Sequence, residues 1–429
     1  MAYNAKSSAR EKTVNISILQ GRLVDPKHQI DAHQDIFLAG GRIAGLGQAP
    51  EGFVAEREID ASGLVVAPGL IDLSAQLTPL ACELRAAVAG GVSTVISSPE
   101  LSPILDEPEL AERLTRNAAD QKLARLLPLG ALTQGLEGQR LTEMAGLTRA
   151  GCVAFSQGKH PMLDTQALLR AFEYAATFGF SVWLQPQDYY LARNGFAHDG
   201  EVCARLGLTG IPVSAETIAI ATCLTLAADT GVRLHLHGIS SARGMEMIAQ
   251  AQTKGIAVSC DTTIHHLHLS EDDIGFFDTN ARFDPPLRSR DDRAALRQGV
   301  LVGVAALCSD HTPLNQDDKR LPFGEASPGA TGLELLLPLT LKWAIETQLS
   351  LNEALAPITS HPAAILGRDD LGHLGIGARA DLCLFAPVET WQVTPERLES
   401  RGKNTPFIGQ EMRGRVKYTL VDGAVVFGD

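Results

Sequence analysis

The 429-residue chain reads as an α/β protein, a (β/α)8 TIM-type barrel that carries a small β-sandwich domain built from both chain termini. Three observations predict this. Short apolar, strand-like runs alternate with longer helical patterns through the middle of the chain. Both ends are instead rich in short strands and tight turns. The length suits one large barrel with an appendage, at roughly 150 residues per domain.

The elements follow in order. Residues 14–65 carry VNISILQGRLV, QDIFLAGGRIAGLG and GLVVAPG, apolar runs punctuated by turns such as Gly40-Gly41. The middle offers strand candidates at Leu70–Leu77, Val92–Ser97, Arg125–Leu132, Gly151–Ser156, Phe180–Leu184, Val232–Ile239, Gly255–Asp261 and Val302–Ser309. Helical stretches such as EPELAERLTRNAADQ and DTQALLRAFEYAATFG lie between them. The C-terminus returns to strands with ARADLCLFAPV and GRVKYTLVDGAVVFG, the latter with an Asp422-Gly423 hairpin signal. The domain boundaries read as 1–65 and 366–429 for the two parts of the β domain and 66–365 for the barrel. In such a barrel, chemistry sits at the C-terminal ends of the strands.

Composition narrows the function. Apolar residues make up 45% and charged residues 20%, an ordinary globular balance. The net charge of −13 argues against nucleic acid or an anionic membrane as the main partner, since both reward a basic face. No apolar run approaches the roughly 20 residues that cross a bilayer. The N-terminal MAYNAKSSAREKTV lacks the apolar stretch of a secretory signal and reads as a short flexible tail. Cys82, Cys152, Cys203, Cys223, Cys260, Cys308 and Cys383 are odd in number, widely spaced and without a CxxC. They read as reduced thiols of a cytoplasmic protein, mostly small core residues. The Gly-Gly pairs are turns, and no GxxxxGK[ST] phosphate loop is present.

Several motifs carry a resemblance. PGLID at Pro68–Asp72 opens the first barrel strand; LHLHGISSARG, DTTIHHLHL, DPPLRS, SDHTP, PGATGLE and NTPFIG follow in order. Together they resemble the dihydroorotases of the amidohydrolase superfamily over nearly the whole chain. The resemblance implies hydrolytic opening or closure of a cyclic amide by metal-bound water. That chemistry needs His-x-His at strand 1, a carboxylate or modified lysine at strand 4, one His each at strands 5 and 6, and Asp at strand 8. Zinc wants imidazole or carboxylate in a tight cage, lowers the pKa of its water toward about 7, and the Asp shuttles the proton.

At these positions the chain carries Ser74 and Gln76 at strand 1, Gln157 at strand 4, Gln185 at strand 5 and Gly238 at strand 6. Only Asp310, at strand 8, keeps a good ligand. Substrate positions depart as well: Glu100, Asp284 and Leu314 stand where the family has other residues. The two carboxylates would repel an anionic substrate. Losing one second-shell partner already costs a metal site 10–100-fold, so five replaced ligands leave no cage and no metal is expected. If Gly238 faces the lumen, strand alternation turns His235 and His237 outward toward the helices as structural residues. His265, His266 and His268 read as structural too. Asp310-His311 is a vestigial pair held by local hydrogen bonds, and Gln185, Gln187 and Asp188 form a polar group without a defined ligand.

A retained scaffold with a dismantled site points to a role at the surface. The sequence resembles the inactive dihydroorotase-like chains that associate with aspartate carbamoyltransferase in some bacteria. The resemblance implies a non-catalytic assembly subunit of that transferase in pyrimidine biosynthesis, in a dodecamer with six chains of each kind. A homodimer of this chain and a cytoplasmic location are also expected. The loops Tyr189–Leu208 and Asn315–Ser327 are candidate contact regions. The alternative is an active zinc-dependent dihydroorotase or other cyclic amidohydrolase with an altered site. A third reading is a ligand sensor that uses the emptied barrel mouth.

Overall fold

The computed structural model describes residues 14–428; the expected N-terminal tail lies almost wholly outside the described residues. Eight parallel strands form the barrel, each hydrogen-bonded to the next in chain order. They are β1 (Leu70–Ala75), β2 (Val92–Ser97), β3 (Arg125–Ala131), β4 (Ala154–Ser156), β5 (Ser181–Leu184), β6 (Arg233–Leu236), β7 (Val258–Thr263) and β8 (Ala305–Cys308). Every strand read from the sequence is present, most of them trimmed at the ends. At the seam between β1 and β8, the Gln76 N–H donates to His311 O (2.8 Å) and the Ser309 N–H to Asp72 Oδ1 (2.7 Å).

Strand alternation sorts the side chains into two cores. Ile71, Leu73, Ile96, Leu129, Trp183 and Cys308 fill the lumen. Val182, Leu184, Leu234, Leu236 and Leu307 face the surrounding helices in a larger cluster. The odd-numbered residues of β5 and β6 therefore point inward, and this decides which histidines reach the site.

The β domain pairs two sheets. One is four-stranded, in the order Arg42–Leu46, Ile36–Ala39, Ile16–Leu19, Arg57–Asp60. The other is six-stranded, in the order Ala424–Phe427, Glu411–Val421, Leu382–Gln392, Val65–Pro68, Arg22–Asp25, Ile30–His33. Val65–Pro68 runs antiparallel to Leu382–Phe385, so the two termini meet in one ladder. Ile18, Leu23, Ile36, Leu38, Leu382 and Leu420 form the core between the sheets. All seven cysteines are free, and every one except Cys82 is buried.

Among the described residues one helix, Val213–Thr230, is long and apolar enough to cross a membrane by length and composition, where the sequence reading expects no such run. It packs on the neighbouring helices Thr165–Phe178 and Ala242–Thr253. Its buried Glu216 carboxylate accepts hydrogen bonds from the backbone N–H and the hydroxyl of both Ser240 and Ser241. That anchor ties the helix to the loop after β6.

Arg125 clamps the barrel to the β domain. Its guanidinium donates to Asp381 Oδ2 (2.5 Å) and Thr94 Oγ1 (3.0 Å) and pairs with Asp422 Oδ1 (3.0 Å). The Asp381 side chain is 5% exposed. Removing one partner of a buried ion pair strands the other charge. Arg125→Ala is therefore expected to destabilise the chain by about 3 kcal/mol, read as a lower urea midpoint with the far-UV spectrum unchanged in buffer.

Candidate functional site

The C-terminal ends of the barrel strands converge on a recess of about 40 Å³ lined by Ser74, Gln76, Glu100, Lys159, Gln185, His237 and Asp310, among others. Ligand pockets for drug-sized molecules run to roughly 300–1,000 Å³, so this mouth is nearly closed. Its centre is a charge network. The Lys159 ammonium lies 3.4 Å from Asp310 Oδ2 and donates to Asp284 O at 3.1 Å. Ser74 Oγ donates to Asp310 Oδ1 (3.3 Å), and His237 Nε2 lies 3.6 Å from the same oxygen. His237 Nδ1 is 2.9 Å from Asp261 Oδ2, and His235 Nε2 is 3.0 Å from that oxygen. Lys159, Asp310, His237 and Asp261 thus form a line of alternating charge from the mouth into the lumen, ended by the His235 ring.

The protonation states follow from the competition between burial and partners. Burial opposes charge on Asp310, but the Lys159 ammonium and His237 outweigh it and hold the carboxyl well below the usual carboxylate range. Burial likewise opposes the Lys159 charge, yet Asp310, Asp284 and Glu100 outweigh it and raise its pKa above the ordinary lysine value. His237 is disfavoured by burial but, held between Asp261 and Asp310, is raised to about 10. His235 is lowered by burial although it touches Asp261. Asp261 is held well below the usual range, mainly by the charge of His237 working against burial. One of the two imidazoles on Asp261 is therefore charged, and it is the one nearer the mouth.

The expectation that His235 and His237 face outward is wrong. Leu234 and Leu236 pack toward the helices, so His235 faces the lumen, with its ring 4.3 Å from that of Trp183. His237 lines the recess. Gly238 is not the lumen residue of a continuing strand. It adopts φ +71, a left-handed turn that suits glycine, and gives only its N–H to Asp261 Oδ1 (2.8 Å).

The other predicted positions fall into two groups. Ser74, Gln76, Gln185, Glu100 and Asp310 meet at the mouth. Gln157 is turned aside: it accepts from Thr133 Oγ1 (2.9 Å) and donates to Leu136 O (2.8 Å). Leu314 lies on the outer loop, its N–H on Asn404 Oδ1 (2.9 Å). Neither carboxylate presents a bare charge to a ligand. Asp284 Oδ1 accepts from the amides of Gln187 (2.9 Å) and Gln185 (3.4 Å). Glu100 accepts from Lys159 N–H (2.9 Å) and Ser98 Oγ (2.9 Å). Asp188 caps the helix Tyr189–Ala192 and does not join the glutamines. His311 pairs with Glu83 Oε2 (2.9 Å) and accepts from the Gly332 N–H (3.1 Å), so it does not act with Asp310. His265, His266 and His268 are buried, and burial lowers them to about 3, 4 and 3.

The donor set does not fit a catalytic zinc. Such a site needs three protein ligands and an open position. Ser74, Gln76 and Gln185 are neutral, and Gln157 is bonded elsewhere. His237, Asp310 and Glu100 are the remaining donors; Asp310 already carries the Lys159 ammonium, and both Glu100 oxygens are engaged by the Lys159 N–H and Ser98 Oγ. Deeper in, donor atoms of His237, Asp261 and Cys308 lie within 4.8 Å of one another. There Asp261 is already shared by two imidazoles, and burial pushes the Cys308 thiol far above its normal range.

Comparison with known proteins places this geometry. Residues 63–244 match a family described as dihydro-orotase-like, and residues 191–427 match the amidohydrolase family. A dihydroorotase-like protein of Pseudomonas putida is 44% identical over 97% of this chain and 100% of its own length. The chain belongs to the dihydroorotase-like proteins of the amidohydrolase superfamily. A Pseudomonas aeruginosa protein of the same description is 42% identical over 96% of this chain and 99% of that one. A dihydroorotase of Geobacter sp. is 38% identical over 96% and 99%. The fold also matches an L-hydantoinase (dihydropyrimidinase) from Arthrobacter aurescens, with a TM-score of 0.86 over 97% of this chain and 96% of that one, at 24% identity.

In this dihydroorotase-like chain, sequence reasoning passed over Lys159 and the inward turn of His237. Lys159 had a readable signal: it is the single lysine between Lys122 and Lys254, two residues beyond the strand-4 position. Removing it leaves Asp310 short of its counter-charge. Lys159→Met is expected to cost about 2 kcal/mol at pH 7 in urea unfolding, with most of it restored in Lys159→Met/Asp310→Asn. A depressed carboxyl stabilises above its unfolded pKa and loses that contribution as pH falls toward the folded value. The Lys159→Met penalty should therefore shrink below about pH 4. The raised His237 pKa has the opposite sign. Its stabilisation is complete below about pH 6.5 and fades as pH climbs toward 10. Imidazole ¹⁵N shifts should show His237 still protonated at pH 8.

Proposed function

We propose that this dihydroorotase-like chain is a non-catalytic subunit that assembles with aspartate carbamoyltransferase catalytic chains in the cytoplasm, six of each, for pyrimidine synthesis. The observation that carries this reading is the Lys159 ammonium on Asp310, in a mouth whose other ligand positions are neutral. An ammonium supplies positive charge but cannot activate water as a metal does. The recess of about 40 Å³ also leaves a sensor little room for a ring-sized ligand. The resemblance to inactive chains that partner the transferase supplies the partner. The mode of action is mass action: a subunit that binds only the assembled transferase shifts it toward that state.

A second reading, an active dihydroorotase, draws on relatives at 38% identity that carry that name. It would need zinc held by His237 and Asp310 with Lys159 displaced. One preparation separates the two. Turnover of dihydroorotate is expected to be absent with and without added zinc, and any zinc the chain carries is expected to be unchanged by Asp310→Asn. In parallel, tagged chain co-expressed with the transferase should co-purify as a complex of defined stoichiometry, and transferase activity should fall when the chain is deleted. Measurable zinc-dependent turnover lost in Asp310→Asn, or a transferase that assembles and works equally well alone, overturns the proposal.

A further inference from the structure

The β domain holds a second group of metal-type ligands, far from the mouth in sequence and in element. Asp25 ends the strand Arg22–Asp25, His28 stands in the turn that follows, and His373 lies in the segment leading to Leu382–Gln392. Donor atoms of the three lie within 4.8 Å of one another. Asp25 is fully buried, and its Oδ2 accepts from His28 Nδ1 (2.7 Å) and from the Leu374 N–H (2.8 Å). The His28 side chain is 42% exposed, so the group opens to water on one side. The His28 and His373 rings sit 5.1 Å apart at 72°.

Two details orient the group as a ligand set. His373 Nε2 lies 2.7 Å from Asp369 O and donates to it, which leaves Nδ1 as the lone-pair nitrogen. A carbonyl behind the distal nitrogen is the usual support of a metal-binding histidine. Gly375 is the second detail. A Cβ at that residue would lie 2.9 Å from His373 Nδ1 and 3.0 Å from His28 Cε1. Its φ is not in the left-handed region. Glycine there answers to the convergence of the two imidazoles and not to a backbone requirement.

The geometry points to a zinc-class divalent cation held by His28, His373 and Asp25, with water completing the coordination. Two imidazoles and one carboxylate in a four-coordinate site select zinc, nickel or copper over magnesium and calcium, which want six or more oxygens. On loading, His28 carries its ring proton on Nε2, toward the water-exposed side, so that Nδ1 offers its lone pair to the ion, and the Gly375 N–H (3.0 Å from His373 Nδ1) gives up its acceptor. The ion would pin residues 25–28 to residue 373, the two chain segments that build the β domain. Its role is to staple that domain, with no part in the chemistry of the barrel mouth.

The test uses the full chain, stripped with EDTA and dialysed. Calorimetric titration with zinc chloride is expected to give one site per chain. Thermal unfolding should rise by about 2 °C or more at saturating zinc and not at equal magnesium. His28→Asn and His373→Asn should each abolish the site, while both keep the apo melting temperature within about 2 °C of the parent, His28 being partly exposed. His237→Ala should leave the zinc stoichiometry unchanged, which separates this site from the barrel mouth. The inference fails if the parent chain takes up no zinc in excess metal, or if His28→Asn and His373→Asn bind it as the parent does.

Discussion

The barrel mouth is organised by one constraint: the Asp310 carboxylate, at the end of β8, lies in a nearly closed recess and requires a positive charge beside it. Asp310 is 7% exposed and sits at φ +44, a backbone conformation L residues rarely adopt. A buried carboxylate without a partner would take up a proton or loosen the strand end. Lys159, arriving from the β4 end, meets that need, and the surrounding groups arrange themselves around the pair. Glu100 holds the Lys159 N–H, Asp284 offers its carbonyl to the ammonium, and the Gln185 and Gln187 amides hold the Asp284 carboxylate.

Behind that pair the same logic repeats once, deeper in the lumen. Asp261 lies wholly inside the barrel and is served by His237, His235 and the Gly238 N–H. His237 touches both carboxylates, so its proton is shared between two demands, while His235 stays neutral against Trp183. Such a line of paired groups is self-sufficient: each anion has a cation or donor of this chain within reach. It stands only while all members are present, because removing one leaves a charge in a low-dielectric interior.

The fold was legible because its signals are long-range and redundant. Eight strand candidates, the PGLID entry and the strand-rich ends each point to the same architecture, and errors of a residue or two at strand ends do not change it. That Ser74, Gln76 and Gln185 stand together at the strand ends was legible too, and all three line the recess. What the sequence could not supply was side-chain direction at a strand end. Counting alternation from Gly238 assumed an extended residue where the backbone turns left-handed, and that single dihedral reverses the facing of His235 and His237. Gln157 shows the same limit from the other side: its position fits the mouth, but Thr133 and Leu136 O draw its amide away. Lys159 was overlooked because a lysine at a strand end is an ordinary surface residue until a buried carboxylate is known to face it.

An ammonium beside Asp310, where the family's chemistry calls for a metal, is what the proposed separation of scaffold from chemistry rests on. Electrostatically the two cations do the same service for Asp310, since either offsets the cost of a carboxylate in a recess that excludes water. Chemically they differ in kind. A metal offers an open coordination position and pulls the pKa of its bound water toward about 7, whereas an ammonium offers hydrogen bonds and its charge. The lysine is also covalently tethered, so Asp310 has its counter-charge from the chain itself. A barrel stabilised in this way has a permanent counter-ion of its own for Asp310. On the proposed reading, the chain's contribution comes from its outer surface.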